Sequence, residues 1–250
     1  MALCEQCDFH VHTHLSRCAN EEMRVPDIVE AAAGRGIRYL GITDHIHPFT
    51  APDILRRTRV ELDSVEKPIE VFLGCEVDVV EVGKHLLTDD LRRTADFVAI
   101  AANHFHTGWV AQPEDLSPRG VGWHFLEMFR YACSLEFADV IVHPMVVFPG
   151  TFDPTCLDVL TDDELSGAID VAKANSVAME ISPRALARDQ MFFRMRFYSL
   201  CKEAGLRFSI GTDSHRLASV GRTDVLAPII SELKLEDDDI WIPRGAPGGA

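Results

Sequence analysis

No apolar run in this 250-residue chain approaches the ~20 residues that a helix needs to cross a bilayer, which argues against a helical membrane protein. The first residues, Met1-Ala2-Leu3-Cys4-Glu5, lack the basic start and apolar stretch of a secretory leader. A basic block is missing too. The chain carries 24 basic against 39 acidic residues, a formal net charge of −15, without the footprint of a protein that grips long nucleic acid. A short oligonucleotide held through metal ions stays compatible with that charge. The seven cysteines are odd in number and irregularly spaced, and a chain of this size does not need disulfide staples. The lone pair Cys4 and Cys7 has no second pair to complete a zinc knuckle, and it precedes a strand rather than joining strand to helix as a redox pair would. Also absent are a Gly-x-Ser-x-Gly elbow, a phosphate-cradling P-loop and a dinucleotide-binding glycine motif. These absences predict a cytoplasmic protein that uses neither a serine nucleophile nor a nucleotide cofactor.

What is present is a chain with 47% apolar and 25% charged residues, enough to bury a substantial core. Short apolar runs alternate with amphipathic segments, the pattern of β/α units. The pattern predicts strands over 7–13, 39–43, 71–77, 97–101, 140–142, 177–181 and 208–211. Helices are expected over 26–35, 53–64, 89–94, 123–137, 188–204 and 225–233. A further helix over 161–175 opens on a capping box, Thr161 with Glu164 three residues on. Residues 108–122 read as a long irregular loop bordered by Trp109 and Trp123, which would shape a pocket. The expected domain is a single barrel over 1–235, followed by an acidic patch and flexible tail over 236–250. Seven parallel strands close most simply as a barrel, one unit short of the common eight. A doubly wound open sheet is the alternative.

The strand ends concentrate chemistry. In a parallel barrel the C-terminal strand ends carry the active site. Eight of the eleven histidines fall there: His10, His12, His14, His45, His104, His106, His143 and His215. Glu76 ends the third strand and Asp213 follows the seventh. Neutral imidazole is the commonest transition-metal ligand. Six strand ends that donate His, Glu or Asp to one barrel mouth point to a multinuclear metal site.

The order His-x-His, Thr-Asp-His, Gly-x-Glu, His, His-Pro, Asp-x-His, from His10 to His215, resembles the PHP (polymerase and histidinol phosphatase) family. The resemblance implies an α/β fold, a distorted (β/α)7 barrel, with two or three divalent ions (Zn, Mn or Fe). It implies a first metal on His10, His12 and Asp213, a second on His104 and His143 bridged to it by Glu76, and a third on His45 and His215. The family's usual extra histidine at the third site is replaced here by Cys18. A thiolate is a good zinc ligand but a poor one for magnesium or manganese. Either Cys18 biases that site toward zinc, or the third ion is weakened, with His14 a spare imidazole nearby. Asp8, Asp44 and Glu180 are candidates to orient imidazoles; turn or cap roles for the two aspartates, and an opposite-facing Glu180, stay open.

The resemblance further implies a phosphoesterase that works through a metal-activated hydroxide, most simply a phosphomonoesterase of histidinol-phosphatase type. Glu76, Asp213, His45 and His215 are then the catalytic group, with His45 or His215 able to protonate the leaving oxygen. Arg17, Arg119, Arg184 and Arg216 neighbour the motifs. Arg184 and Arg216, with His106, are the expected substrate contacts, because a planar guanidinium suits phosphate. The expected partner is a small phosphorylated molecule, with no membrane and no assigned oligomeric state. Alternatives are a phosphodiesterase or nuclease of the PHP or TatD-like type, and a non-catalytic metal-binding PHP module.

Overall fold

The computed structural model describes residues 2–243, apart from the side chain of Arg188. In chain order the elements are β1 (Cys7–Val11), α1 (Val25–Gly34), β2 (Tyr39–Ile46), α2 (Ile54–Asp63), β3 (Glu70–Glu81), β4 (Lys84–His85), α3 (Asp89–Thr94), β5 (Phe97–Ala101), α4 (Pro118–Cys133), β6 (Val140–Ile141), α5 (Asp162–Ala174), β7 (Ala178–Ile181), α6 (Met191–Glu203), β8 (Phe208–Ile210) and α7 (Ala227–Glu232). Seven strands run parallel in the order β1-β2-β3-β5-β6-β7-β8. The ends of this sheet meet. His12 N–H donates to Ser214 O (3.0 Å) and Ser214 N–H to His10 O (3.2 Å). The result is a nearly closed distorted (β/α)7 barrel, not an open sheet.

Local chemistry explains most boundaries. Pro26 stands in the first turn of α1, where its missing N–H costs nothing. Thr161 and Glu164 cap α5 reciprocally, at 2.9 and 3.3 Å. Several boundaries depart from the pattern: β2 runs to Ile46 rather than 43 and α4 ends at Cys133 rather than 137, and two further departures bear on the site. Helix α4 starts at Pro118, capped by the Ser117 hydroxyl (3.1 Å to Gly120 N), so the irregular segment is shorter than 108–122. Strand β3 runs five residues past Glu76 and returns as β4 through a turn with Gly83 at φ +91°. Glu76 is therefore inside a strand and not at its end.

At the N-terminal end of the strands the barrel is stopped by rings. Phe9, Phe97 and Trp241 meet with centroids 5.4–6.3 Å apart. Gly41 and Gly74 make room for Phe97. A Cβ on Gly41 would lie 2.8 Å from that ring and 2.9 Å from the Phe9 backbone. The plug corrects the expected tail. Trp241 N–H donates to Phe208 O (2.9 Å), and Ile240, Trp241 and Ile242 are buried. The packed chain thus extends to Ile242, and only 244–250 of the expected tail lie outside the described residues. Among the described residues no helix is long and apolar enough to cross a membrane.

Candidate metal centre

The register of the sheet brings the polar residues together. His45 on β2 pairs with Glu76 on β3, so neighbouring strands place an imidazole beside a carboxylate. His10, His12, Glu76 and His143 are essentially inaccessible to solvent. Such burial of charge is costly unless each group is paired or coordinates a cation. His143 and Asp213 also hold left-handed backbone, φ +34° and +51°. Non-glycine residues adopt such conformations where surrounding structure imposes them, often at functional sites.

Around Glu76 Oε2 sit His10 Nε2 (3.4 Å) and His12 Nε2 (3.5 Å). Asp213 Oδ1 is 3.6 Å from the first and 3.3 Å from the second, and the two nitrogens are 3.1 Å apart. An ion that binds N and O at about 2.0–2.2 Å in tetrahedral geometry sets its ligand atoms roughly 3.4 Å apart, so His10, His12 and Glu76 fit one ion, and Asp213 stands at the same spacing from both imidazoles. Glu76 Oε1 faces the other way, 2.9 Å from His143 Nε2 and 3.5 Å from His104 Nε2. His12, His45 and His215 form a third convergent group. Cys18 lines the same cleft beside His45 and His215.

Ring protons decide what these contacts are. His10 Nδ1–H donates to Glu180 Oε1 (2.6 Å), and His104 Nδ1–H to Asp78 Oδ1 (2.7 Å). His143 Nδ1–H donates to Asn103 Oδ1 (2.9 Å), an oxygen identified because the Asn103 amide nitrogen donates to two carbonyls. With the protons held at Nδ1, all three Nε2 lone pairs turn towards the Glu76 carboxylate. Lone pairs aimed at carboxylate oxygens repel unless a cation lies between them. His45 Nδ1 adds to this. It lies 2.7 Å from Glu76 Oε2 but is not aligned for a hydrogen bond. The donor set therefore fits divalent cations.

The electrostatics agree. Burial alone pushes the Glu76 carboxyl up, but His45 and His10 outweigh it and hold it well below the usual range. Asp213 is likewise driven up by burial and held well down by His10, His12 and Arg184. Burial pulls His10 down, but Glu180, Asp213 and Glu76 raise it well above normal, so a proton is welcome where an ion would sit. Burial and the neighbouring His45 push His12 well down. The exposed Cys18 thiol is brought down to about 6, because hydrogen bonds with His215 and His45 outweigh its desolvation.

A match to the PHP domain family model covers residues 8–135. The chain belongs to the PHP family. The matched half supplies His10 to His104, while His143, Asp213 and His215 complete the PHP barrel mouth from beyond it. The chain is 25% identical over 218 residues to the DNA polymerase/3'-5' exonuclease PolX of Bacillus subtilis (strain 168), which covers 84% of this chain and 34% of that protein. It thus spans about a third of that relative's length. Histidinol phosphate phosphatase from Lactococcus lactis subsp. lactis Il1403, solved with Zn, L-histidinol and phosphate, superposes with a TM-score of 0.65 at 15% identity over 93% of this chain and 95% of that one. A putative histidinol phosphatase from Listeria monocytogenes gives 0.65 at 13% identity over 86% and 97%. Both show the same fold.

The remaining expected residues separate. A cleft of about 410 Å³ over the centre is lined by Arg17, His47, His106, Trp109 and Arg184 among others. Arg184 Nε donates to Asp213 Oδ2, and its guanidinium lies 5.0 Å over the Phe148 ring. Arg216 lines an adjoining cavity instead. Arg119 is tied to Glu164 and stacks on Trp123 on the α4 surface, away from the centre. His14 turns towards Met23 O (3.3 Å) and Glu61, so it is no substitute at the third site. Asp8 and Asp44 orient no imidazole directly. Asp8 accepts from Thr212 and Gly221, and Asp44 from Thr13, Ser16 and Thr58. Glu180 does orient one, and its other oxygen accepts from His143 N (2.7 Å).

Asp78, Asn103 and His47 were not singled out by sequence reasoning. Asp78 fixes His104 and accepts from Trp109 Nε1 (2.6 Å). Two residues after Glu76, it shares that face of β3, a signal visible once the strand is extended.

Proposed function

We propose that this chain is a metal-dependent phosphoesterase that hydrolyses small phosphate monoesters. The observation that carries the reading is the convergence of the His10, His104 and His143 Nε2 lone pairs on the Glu76 carboxylate. His10, His12, Glu76 and Asp213 would hold one ion, and Glu76, His104 and His143 a second. His45 and His215, with His12 and Cys18 alongside, would take a third. Zinc, manganese or iron fits the N/O donors, and a thiolate contribution from Cys18 favours zinc. When bound, divalent ions supply charge neutralisation at phosphate oxygens and a water of lowered pKa.

The chain's own residues do the rest. Glu180, Asp78 and Asn103 keep the imidazoles in one tautomer and orientation. Arg184 offers its remaining guanidinium nitrogens to a non-bridging phosphate oxygen, and His106 lines the same cleft. Its ring is kept neutral, pulled down to about 4 by burial and by His104, so it acts as a polar wall rather than a second cation. His215, whose Nδ1–H donates to Asp213 O (2.9 Å), presents Nε2 and is raised by Cys18 and Asp213 against its burial. A metal-bound Nε2 carries no proton, so His215 either holds the third ion or, where that ion is absent, is the group best placed to give a proton to the leaving oxygen. The seven free cysteines suit a reducing compartment, which supports a cytoplasmic setting.

One observation favours a second reading, hydrolysis of a phosphodiester end. Exposed Phe49 meets Trp109 edge-on at 5.9 Å beside Arg17 at the cleft margin, a surface on which a base can stack.

The test is turnover of 4-nitrophenyl phosphate against bis(4-nitrophenyl) phosphate by protein purified without chelator, with metal content measured by plasma mass spectrometry. We expect two to three equivalents of metal per chain, as the donor set implies, and preference for the monoester. Glu76→Gln should lower kcat/KM by at least about a hundredfold with the circular-dichroism spectrum unchanged. Wild-type turnover in that variant, or a protein that takes up no metal, refutes the proposal. Diester preference moves the second reading to first place.

A further inference from the structure

Beside the metal cleft lies a larger cavity of about 710 Å³. The two cavities share Cys18, Arg184, Asp213 and His215 as walls, so a ligand bound at the metals can extend into the second. Three arginines line this annex: Arg184, Arg216 and Arg222. Its lining contains a single carboxylate, Asp213, which Arg184 already engages. In a chain of net charge −15 this is a local reversal of sign.

The cations are available. Arg216 is exposed, and among the described residues its guanidinium has no hydrogen-bond or ion-pair partner. Arg222 leans on Asp224 through one long contact, Nε–Oδ1 3.4 Å, and its other nitrogens are unengaged. The segment that carries both is held from outside the cavity. Arg35 donates to the carbonyls of Leu217 (3.0 Å) and Val220, and Asp8 Oδ2 accepts from Gly221 N (2.8 Å). A short loop clamped at three backbone points leaves only the arginine side chains to be ordered when an anion arrives.

We infer that this annex binds a second anionic group of the substrate, and that the substrate class is therefore phosphate esters which also carry a carboxylate or a further phosphate. The inference rests on the phosphoesterase reading for what occupies the metal cleft. Arg216 and Arg222 are then specificity residues for the leaving group, at a distance from the scissile phosphate. Guanidinium forks suit both oxyanions, so the source of the second charge is left to experiment.

The test is calorimetric titration of the metal-loaded protein with three phosphonates that cannot be hydrolysed: butylphosphonate, 4-phosphonobutanoate and propane-1,3-diphosphonate. Each offers one phosphonate to the metals. The second and third add a carboxylate or a phosphonate at similar reach. We expect at least one of them to bind roughly tenfold or more tightly than butylphosphonate, with the advantage shrinking as salt is raised. Which one gains identifies the second anion as carboxylate or phosphate. In Arg216→Ala/Arg222→Ala the advantage should fall to within about twofold, and Arg216→Lys should keep part of it. Equal affinity for all three ligands overturns the inference and leaves the phosphoesterase reading standing. An advantage that survives the double substitution also overturns it, because the second anion then binds at the metals. If none of the three binds, phosphate recognition itself fails and both readings fall.

Discussion

Glu180 has one carboxylate and two tasks. Oε1 accepts from His10 Nδ1 at 2.6 Å, and Oε2 accepts from the His143 backbone at 2.7 Å. The first contact fixes an imidazole whose Nε2 faces Glu76, and the second fixes the left-handed residue that carries another. Glu180→Gln keeps the shape but removes the charge that holds the His10 proton at Nδ1. Metal affinity or turnover should fall by about ten- to a hundredfold, read by competition with a chromophoric chelator, while the melting temperature of the metal-free protein changes little. Unchanged metal affinity would show that His10 is oriented by something else. This role was only half legible beforehand. A carboxylate in an apolar strand says that it is buried, not which face it takes. Asp44 misled because it is adjacent in sequence to His45, and successive residues of a strand point to opposite faces. Asp8, two residues before His10, would share its face in a regular strand, but the register of β1 shifts between Asp8 and Val11 and its carboxylate is taken up by Thr212 and Gly221. The convergence of the histidines on one end of the barrel was legible because the ends of several separate strands carry them.

Strands β2 and β3 are the elements on which the centre is hung. They pair without interruption from Tyr39 with Glu70 to Ile46 with Val77, and that register places His45 beside Glu76. The same strands carry Gly41 and Gly74 under Phe97. Gly41→Ala would drive a methyl into the Phe97 ring and the Phe9 backbone. The backbone cannot yield as a side chain can, so the cost should be roughly 1–3 kcal/mol, measured by urea unfolding. Loss of stability without loss of activity per folded molecule is the expected pair of outcomes. A neutral result would mean that the barrel floor is looser than the 2.8 and 2.9 Å approaches at Gly41 imply. Neither glycine could be assigned a purpose from its place in an apolar run, because the ring that fills the space lies tens of residues away. The β3–β4 turn was hidden for another reason. Glu81-Val82-Gly83-Lys84 has hairpin chemistry, but its return strand is only two residues long.

The whole barrel is closed at its two ends by opposite means. One end is stopped by Phe9, Phe97 and Trp241, which need nothing but each other. The other holds buried imidazoles and carboxylates whose lone pairs face one another, and which need a cation. Stability should therefore divide into a part that follows metal and a part that does not. Stripping the metal with a chelator should cost about 3–4 kcal/mol at ion concentrations of a hundred to a thousand times the dissociation constant. That is a fall in melting temperature of roughly 6–16 °C for a chain of this size. Trp241→Ala should cost about 3–5 kcal/mol by opening a cavity in the floor. The two sites share no partners, so the losses should add to within about 0.5 kcal/mol. The check is calorimetry on four samples: wild type and Trp241→Ala, each with and without metal. A clear excess over the sum would mean that the floor sets the positions of the strands at the mouth. Removal of a ring at one end would then loosen the ligands at the other, and the barrel would have to be treated as a single cooperative support for its metal centre.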